Sequence, residues 1–351
     1  MPAQAPITAR HLSKTFRSLF GGGVVAVNGF DLRVETGAVY GLIGRNGAGK
    51  TTFLRLLLGL LRADSGEVRL LGEDFWEASR ASRQRVAYVA QSSGAPDRMT
   101  ARDLWRYSAH FYTRWDQTLA DSLARRWEIP PERPLGRLSG GTRRLASVLT
   151  ALAVRPEVLI LDEPAAGLDP IARREVLSCL VDALLATEGC TILLSTHHLG
   201  DLERLASHVG IMEHGRIVAE GAVEDWKRTM RRVQVVYPGA GVPENAAIPG
   251  ALRSQALGPV LTAVARITDD TQLDGLRSQR GVRVNEFALS LEELFVELFQ
   301  PDTDLEASLA PGTDPAGIPD RPGGRVTSEP VHRVGRGPAV TVAPARRDGD
   351  D

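Results

Sequence analysis

Apolar residues along this chain fall mostly into short continuous runs separated by polar or glycine-bearing joints. Val39-Tyr40-Gly41-Leu42-Ile43, Val86-Ala87-Tyr88-Val89, Val158-Leu159-Ile160-Leu161 and Thr191-Ile192-Leu193-Leu194-Ser195-Thr196 each have the length and texture of a buried strand. After the first run, Phe53, Leu54, Leu56, Leu57 and Leu58 suit a buried helix that stops near Gly59. Ile7 to Leu12 and Phe30 to Val34 read as short strands around a turn-rich piece containing Gly21-Gly22-Gly23, and Glu67 to Leu71 as another with a turn at Gly72. These predict a small antiparallel sheet.

The pattern turns helical over residues 100–127. Leu104, Tyr107, Ser108, Phe111 and Trp115 recur at helix-face spacing, Thr100 with Asp103 resembles a capping box, and Leu119, Leu123 and Trp127 continue the period in a second helix. Six aromatics lie between Trp105 and Trp127; they either form a small helical core or leave an exposed groove for a partner helix. Pro130-Pro131-Glu132-Arg133-Pro134 ends the helices, and Val209 to Glu220 reads as a hairpin turning at His214-Gly215. After Met230, Val233 to Tyr237, Val260 to Ile267 and Val282 to Leu289 predict strands of a small α/β appendage closed by a helix over Glu292 to Phe299. From Pro301 onward there is no aromatic residue, and a tail so poor in apolar surface is expected to be disordered.

Composition narrows the class. The 351 residues allow about two domains, and 43% hydrophobic content suffices for a core. Lys+Arg 42 against Asp+Glu 43 leaves a net charge of −1, which supplies no field to draw in nucleic acid or an anionic membrane. Cys179 and Cys190, without metal-ligand spacing, point to a reduced, cytosolic setting. Met1-Pro2-Ala3-Gln4 lacks a signal layout, and no stretch reaches the ~18 apolar residues of a spanning helix. Action at a membrane would require another chain.

Candidate chemistry sits at the joints. Gly44-Arg45-Asn46-Gly47-Ala48-Gly49-Lys50-Thr51, followed by Thr52, fits the phosphate-loop pattern between a strand and a helix. Its glycines let backbone N–H groups and the helix dipole approach an anion; Lys50 would reach the β- and γ-phosphates and the Thr51 hydroxyl would ligate Mg²⁺. Gln91, at the end of the second run, could touch Mg²⁺ or the attacking water, or be an ordinary loop residue. Ser139-Gly140-Gly141 reads as a helix N-cap whose paired glycines expose N–H groups at a positive helix end, either a second anion site or, taken by itself, an ordinary cap. Asp162 and Glu163 close an apolar strand; Asp162 would hold Mg²⁺ through its water shell, and Glu163 would orient or deprotonate the water attacking the γ-phosphate. Asp169 can cap the helix beginning near Pro170. His197 ends the fourth run, where imidazole can act as donor and sensor, with neighbouring His198 expected to point elsewhere. Phe16, with Phe20 as the alternate, could stack on adenine or simply fill core.

Taken in order, Gly44 to Thr51, Gln91, Leu138-Ser139-Gly140-Gly141, Asp162-Glu163, Asp169 and His197 resemble the nucleotide-binding subunit of an ATP-binding cassette (ABC) transporter over roughly residues 5–230. Phe111-Tyr112-Thr113-Arg114-Trp115-Asp116, the single cassette and the appendage are similar to ATPases of type 2 ABC exporters. The resemblance implies an α/β P-loop NTPase core with an antiparallel β subdomain and an α-helical subdomain at about 92–150. An accessory domain at 231–300 and a disordered tail at 301–351 would follow. It also implies two cassettes packed head to tail, each ATP held by Lys50, Thr51, Gln91, Asp162, Glu163 and His197 of one and Ser139, Gly140 and Gly141 of the other. A separate membrane permease would receive the motion, placing the chain on the inner face of the cell membrane. Thr142 stands where the family commonly has Gln, Ala165 where Thr or Ser is frequent, and Phe16 replaces the usual Tyr. Rival readings are a soluble ABC protein acting on ribosomes or DNA, which usually carries two cassettes, long coiled coils or zinc insertions, and a regulatory module that binds ATP without turnover. The cargo is not readable from this chain.

Overall fold

The computed structural model describes residues 5–17, 22–92, 94–185 and 189–298. Phe20 and the predicted tail at 301–351 lie outside the described residues. In chain order the strands are β1 (Ile7–Arg17), β2 (Gly23–Val34), β3 (Val39–Ile43), β4 (Ser65–Leu70), β5 (Val86–Val89), β6 (Val158–Asp162) and β7 (Thr191–Thr196). They continue as β8 (His208–Glu213), β9 (Arg216–Ala222), β10 (Met230–Val236), β11 (Ala251–Leu257), β12 (Val260–Arg266) and β13 (Arg283–Ala288). The helices are α1 (Lys50–Leu57), α2 (Arg80–Arg83), α3 (Ala101–Ala109), α4 (Gln117–Arg126), α5 (Gly140–Ala153), α6 (Pro170–Leu185), α7 (Leu199–Leu205), α8 (Val223–Thr229), α9 (Asp274–Arg277) and α10 (Leu291–Leu298).

All four apolar runs join one six-stranded sheet of order β5-β6-β7-β3-β8-β9, parallel except for β9. Every residue of β6 and β7 is buried, because helices cover both faces of a parallel sheet and leave no solvated side to alternate toward. Since β3, β6 and β7 run in the same direction, their ends at Ile43, Asp162 and Thr196 collect along one edge. A second sheet, β2-β1-β4, is antiparallel, with Ile7 opposite both Val34 and Leu70. Its strands run several residues longer than the apolar pattern predicts, since β1 continues to Arg17 through register shifts near His11. Beneath it α1 buries Phe53, Leu54, Leu56 and Leu57, with the Phe53 ring 4.4 Å from that of Phe30. The helix stops where expected: Gly59 adopts φ 64, and a Cβ there would sit 2.2 Å from the Phe75 carbonyl oxygen.

The helical insertion differs from its prediction in one respect. The Thr100–Asp103 capping box forms, but α3 ends at Ala109 and its buried positions are Ala101 and Trp105, not the face of Tyr107 and Phe111. Those two rings stay exposed, 5.0 Å apart, and Phe111 lies beyond the helix. Trp105, one position round, is buried in the core, and Leu104 packs half-buried against the same cluster.

The appendage is a four-stranded antiparallel sheet, β11-β12-β10-β13, with a core of its own around Val233, Val235, Tyr237, Leu261 and Leu273. Its closing helix α10 turns back: Leu291 and Leu294 join the same core as β6, β7 and α7. The Leu291 amide donates to Glu203, and Arg232 pairs with Glu293 and Glu297. β11 escaped the pattern because it is largely exposed. No described helix is long and apolar enough to cross a membrane.

Candidate functional site

The glycine loop leaves β3 and enters α1 without a side-chain cap, so the N–H groups of Lys50, Thr51 and Thr52 have no intrahelical acceptor. Gly49 is the N-cap at φ 108, and a Cβ there would lie 2.1 Å from the Ala26 carbonyl oxygen. At Gly44 a Cβ would lie 2.4 Å from the Met212 carbonyl, whereas Gly47, at φ 87, faces open space. Backbone bonds from Ala48 to Arg45 (3.1 Å) and from Gly215 to Ala48 (3.0 Å) fix the bend, leaving Arg45, Asn46 and Gly47 exposed. The result is a cradle of free donors at the positive end of a helix, which suits an anion.

Lys50 is only 6% exposed, and its ammonium donates to the Gly44 carbonyl at 2.6 Å while lying 3.2 Å from Glu163 Oε1. A buried cation needs such a counter-charge to be tolerated. Glu163 itself stands at φ 50, an uncommon setting for a residue with a Cβ, and that turn brings its carboxylate back over the loop. Its other oxygen, Oε2, is 2.7 Å from His197 Nδ1. The His198 ring does not diverge as strand alternation predicts. β7 ends at Thr196, and the two imidazoles lie with centroids 3.9 Å apart. Burial, then the charges of Arg173 and His197, hold His198 below the usual histidine range.

Asp162 is 1% exposed and surrounded by hydroxyls: Ser195 Oγ donates to Oδ1 at 2.5 Å, Thr51 Oγ1 to Oδ2 at 3.1 Å, and Tyr88 to Oδ2 at 3.5 Å. The Tyr88 phenol is pushed up to about 12 by burial and then by the Asp162 charge. Thr51 and Asp162 are one hydroxyl and one carboxylate, both hard oxygen donors. They fit a small divalent cation shared with a polyphosphate, and among the described residues no cluster of three or more His, Cys, Asp or Glu offers a separate cage.

The predicted helix N-cap at Ser139 forms. Ser139 caps α5, accepting from the Thr142 amide at 3.1 Å, with the two hydroxyls 2.8 Å apart; Ser139 and Gly140 are exposed. Gly141 is buried, and a Cβ on it would lie 3.3 Å from Ala172 Cβ. Asp169 caps α6 through the amides of Ile171 and Ala172, both at 3.0 Å. Phe16 is 45% exposed on β1 opposite Val24, so its ring is free to receive a flat partner. The Gln91 side chain is exposed, and among the described residues its amide bonds neither carboxylate; its carbonyl, with that of Ala90, accepts from Arg144.

Sequence reading missed four polar residues. Ser195 and Tyr88 sit inside apolar runs, where a polar group in a buried or largely buried strand is itself a signal, since burial demands a partner. Arg143 and Arg144 follow the paired glycines and clamp the loop after β5: Arg144 through Ala90 and Gln91, Arg143 through the Ala95 carbonyl (3.1 Å) and Asp97 (2.7 Å). Chemically, the site offers an anion cradle with a buried lysine, a hydroxyl–carboxylate pair for a hard cation, and a carboxylate–imidazole pair able to align water. That layout serves phosphoryl hydrolysis.

Comparison with known proteins agrees. Residues 27–166 match the family described as ABC transporter. The chain is 32% identical over 285 residues to the Nod factor export ATP-binding protein I of Rhizobium sp. (strain N33), covering 79% of this chain and 93% of that one. It is 33% identical over 305 residues to the daunorubicin/doxorubicin resistance ATP-binding protein DrrA of Streptomyces peucetius, covering 79% and 88%. A solved ATP-binding subunit of an ABC transporter superposes with a TM-score of 0.53 at 26% identity, over 63% of this chain and 92% of that one. With such likeness along nearly the whole length of its relatives, and with strands, loops and carboxylates arranged as above, the chain belongs to the ABC transporter family as an ATP-binding ATPase subunit.

Proposed function

We propose that this ATPase powers an ABC exporter: two cassettes close on ATP, and a separate permease in the membrane carries the resulting motion to the cargo. The relatives named for Nod factor export and for drug resistance support the export reading. Residues 5–230 would form the nucleotide-binding part, with the helical subdomain at about 92–150, and 231–300 an accessory domain. The chain would lie on the inner membrane face through its permease.

Within the site, the phosphate loop and Lys50 would hold the β- and γ-phosphates. Thr51 and Asp162 would hold Mg²⁺, directly and through its water shell, with Gln91 reaching it on closure; the ion would neutralise charge on the phosphates. Glu163 would orient and deprotonate the attacking water, and His197 would hold Glu163 and sense the γ-phosphate. Ser139, Gly140 and Gly141 of one copy, with Asp169, would meet the ATP of the other, and Phe16 would stack on its adenine. The observation that carries this reading is Glu163, held between Lys50 at 3.2 Å and His197 at 2.7 Å. Glu163→Gln should keep ATP binding and lower steady-state phosphate release by at least about 10²-fold, the usual worth of a general base. Undiminished turnover in that variant would refute the role.

A further inference from the structure

Ser195 is fully buried near the end of β7, directly opposite Asp162 in the β6–β7 register. One hydroxyl there touches both acidic residues: its O–H donates to Asp162 Oδ1 at 2.5 Å, and its oxygen accepts from the Glu163 amide at 3.1 Å. We propose that Ser195 is a positioning residue for hydrolysis, fixing the rotation of the Asp162 carboxylate so that Oδ2 faces Thr51. This rests on the reading of Asp162 and Glu163 given above.

The reasoning is geometric. A carboxylate on one bond to its chain turns freely about its last torsion unless both oxygens are engaged. Oδ1 has Ser195 as its short partner, the Thr51 contact on that side being 3.4 Å, while Oδ2 takes Thr51 at 3.1 Å and Tyr88 at 3.5 Å. Removal of the serine hydroxyl takes from Oδ1 its short donor at a residue that is only 1% exposed. The Glu163 amide is different, since it also donates to the Ser195 main-chain oxygen at 3.0 Å. Loss of the hydroxyl therefore leaves the backbone turn tied and the strand intact, while the cation-facing oxygen of Asp162 loses its fixed direction.

The test compares Ser195→Ala, Ser195→Cys and Ser195→Thr with the parent chain and with Glu163→Gln. Two readouts are taken: steady-state phosphate release against ATP and Mg²⁺, and equilibrium binding of a fluorescent ATP analogue with Mg²⁺ and with chelator. Ser195→Ala should lower kcat by about ten- to one-hundred-fold, the worth of one hydrogen bond to a buried charge, with KM for ATP within about two-fold. Half-saturating Mg²⁺ should rise, while analogue binding in chelator stays at the parent value. Ser195→Thr, which keeps the hydroxyl, should restore both; Ser195→Cys, a weak donor of the same shape, should behave like alanine and serves should the alanine chain not fold. An alanine or cysteine variant with parental kcat, or a threonine variant as impaired as alanine, overturns the proposal. A parent chain that releases no phosphate would instead overturn the hydrolytic reading on which it rests, so the two failures are distinct.

Discussion

Thr51 Oγ1 lies 3.1 Å from Asp162 Oδ2, a contact between residues 111 positions apart. Because the hydroxyl donates its hydrogen to the carboxylate, the oxygen keeps its lone pairs for a cation bound to phosphate. Thr51→Val, nearly the same shape without a hydroxyl, should lower kcat by about ten-fold or more, while Thr51→Ser stays within about three-fold. Magnesium titrations of the two variants check this.

Two glycines of the loop should respond differently to alanine. At Gly49 the new Cβ would fall 2.1 Å from a backbone oxygen at φ 108, so the loop must move. At Gly47 it would meet open space, leaving only the left-handed backbone cost of about 1–2 kcal/mol. Urea unfolding should rank Gly49→Ala as the more destabilised, and ATP binding should weaken in both.

Arg144 donates to two consecutive carbonyls, those of Ala90 and Gln91, while Arg143 reaches Ala95 and Asp97. The helix that begins at the Ser139 cap is thereby tied to the Gln91 loop. Arg144→Ala should raise amide exchange in residues 90–97 and lower kcat several-fold with ATP affinity unchanged. Lysine should fail to restore it, since an ammonium lacks the planar fork that spans both acceptors.

Asp116 caps α4, accepting from the Leu119 amide at 2.8 Å and pairing with Arg155 at 2.8 Å. The amide first, then Arg155, hold its carboxyl below the ordinary 3.8. A carboxylate depressed on folding adds stability that is present above its unfolded value and lost as pH falls through the folded one. Asp116→Ala should therefore cost about 1 kcal/mol at neutral pH, mostly the lost cap, as the exposed ion pair is screened. The difference from the parent should shrink as pH drops below 4, measured by urea midpoints.

Much of the site was legible because its chemistry demands residue types that strand-end positions display plainly. Gly44 to Thr51, Asp162, Glu163 and His197 fall together since their strands share one parallel sheet. Gln91 was placed by the same rule, yet among the described residues its side chain bonds no carboxylate; its backbone is held by Arg144 from a helix distant in sequence. The Thr100–Asp103 cap was readable because it is local, whereas Trp105 displacing Tyr107 from the interior is a competition settled only by tertiary packing. Ser195 was hidden by its apolar neighbours, which advertised a strand and masked the hydroxyl that meets Asp162.

The return of α10 onto the cassette bears on how this protein can be divided. Sequence texture changes at Met230, which invites a shortened expression product ending there. Leu291 and Leu294 nevertheless fill space beside α7, the helix that follows His197, and Glu203 of α7 holds the Leu291 amide. A product cut at 230 would uncover an oily surface under the histidine loop, so it should clump during purification, and any activity lost would reflect that exposed floor rather than a missing catalytic group.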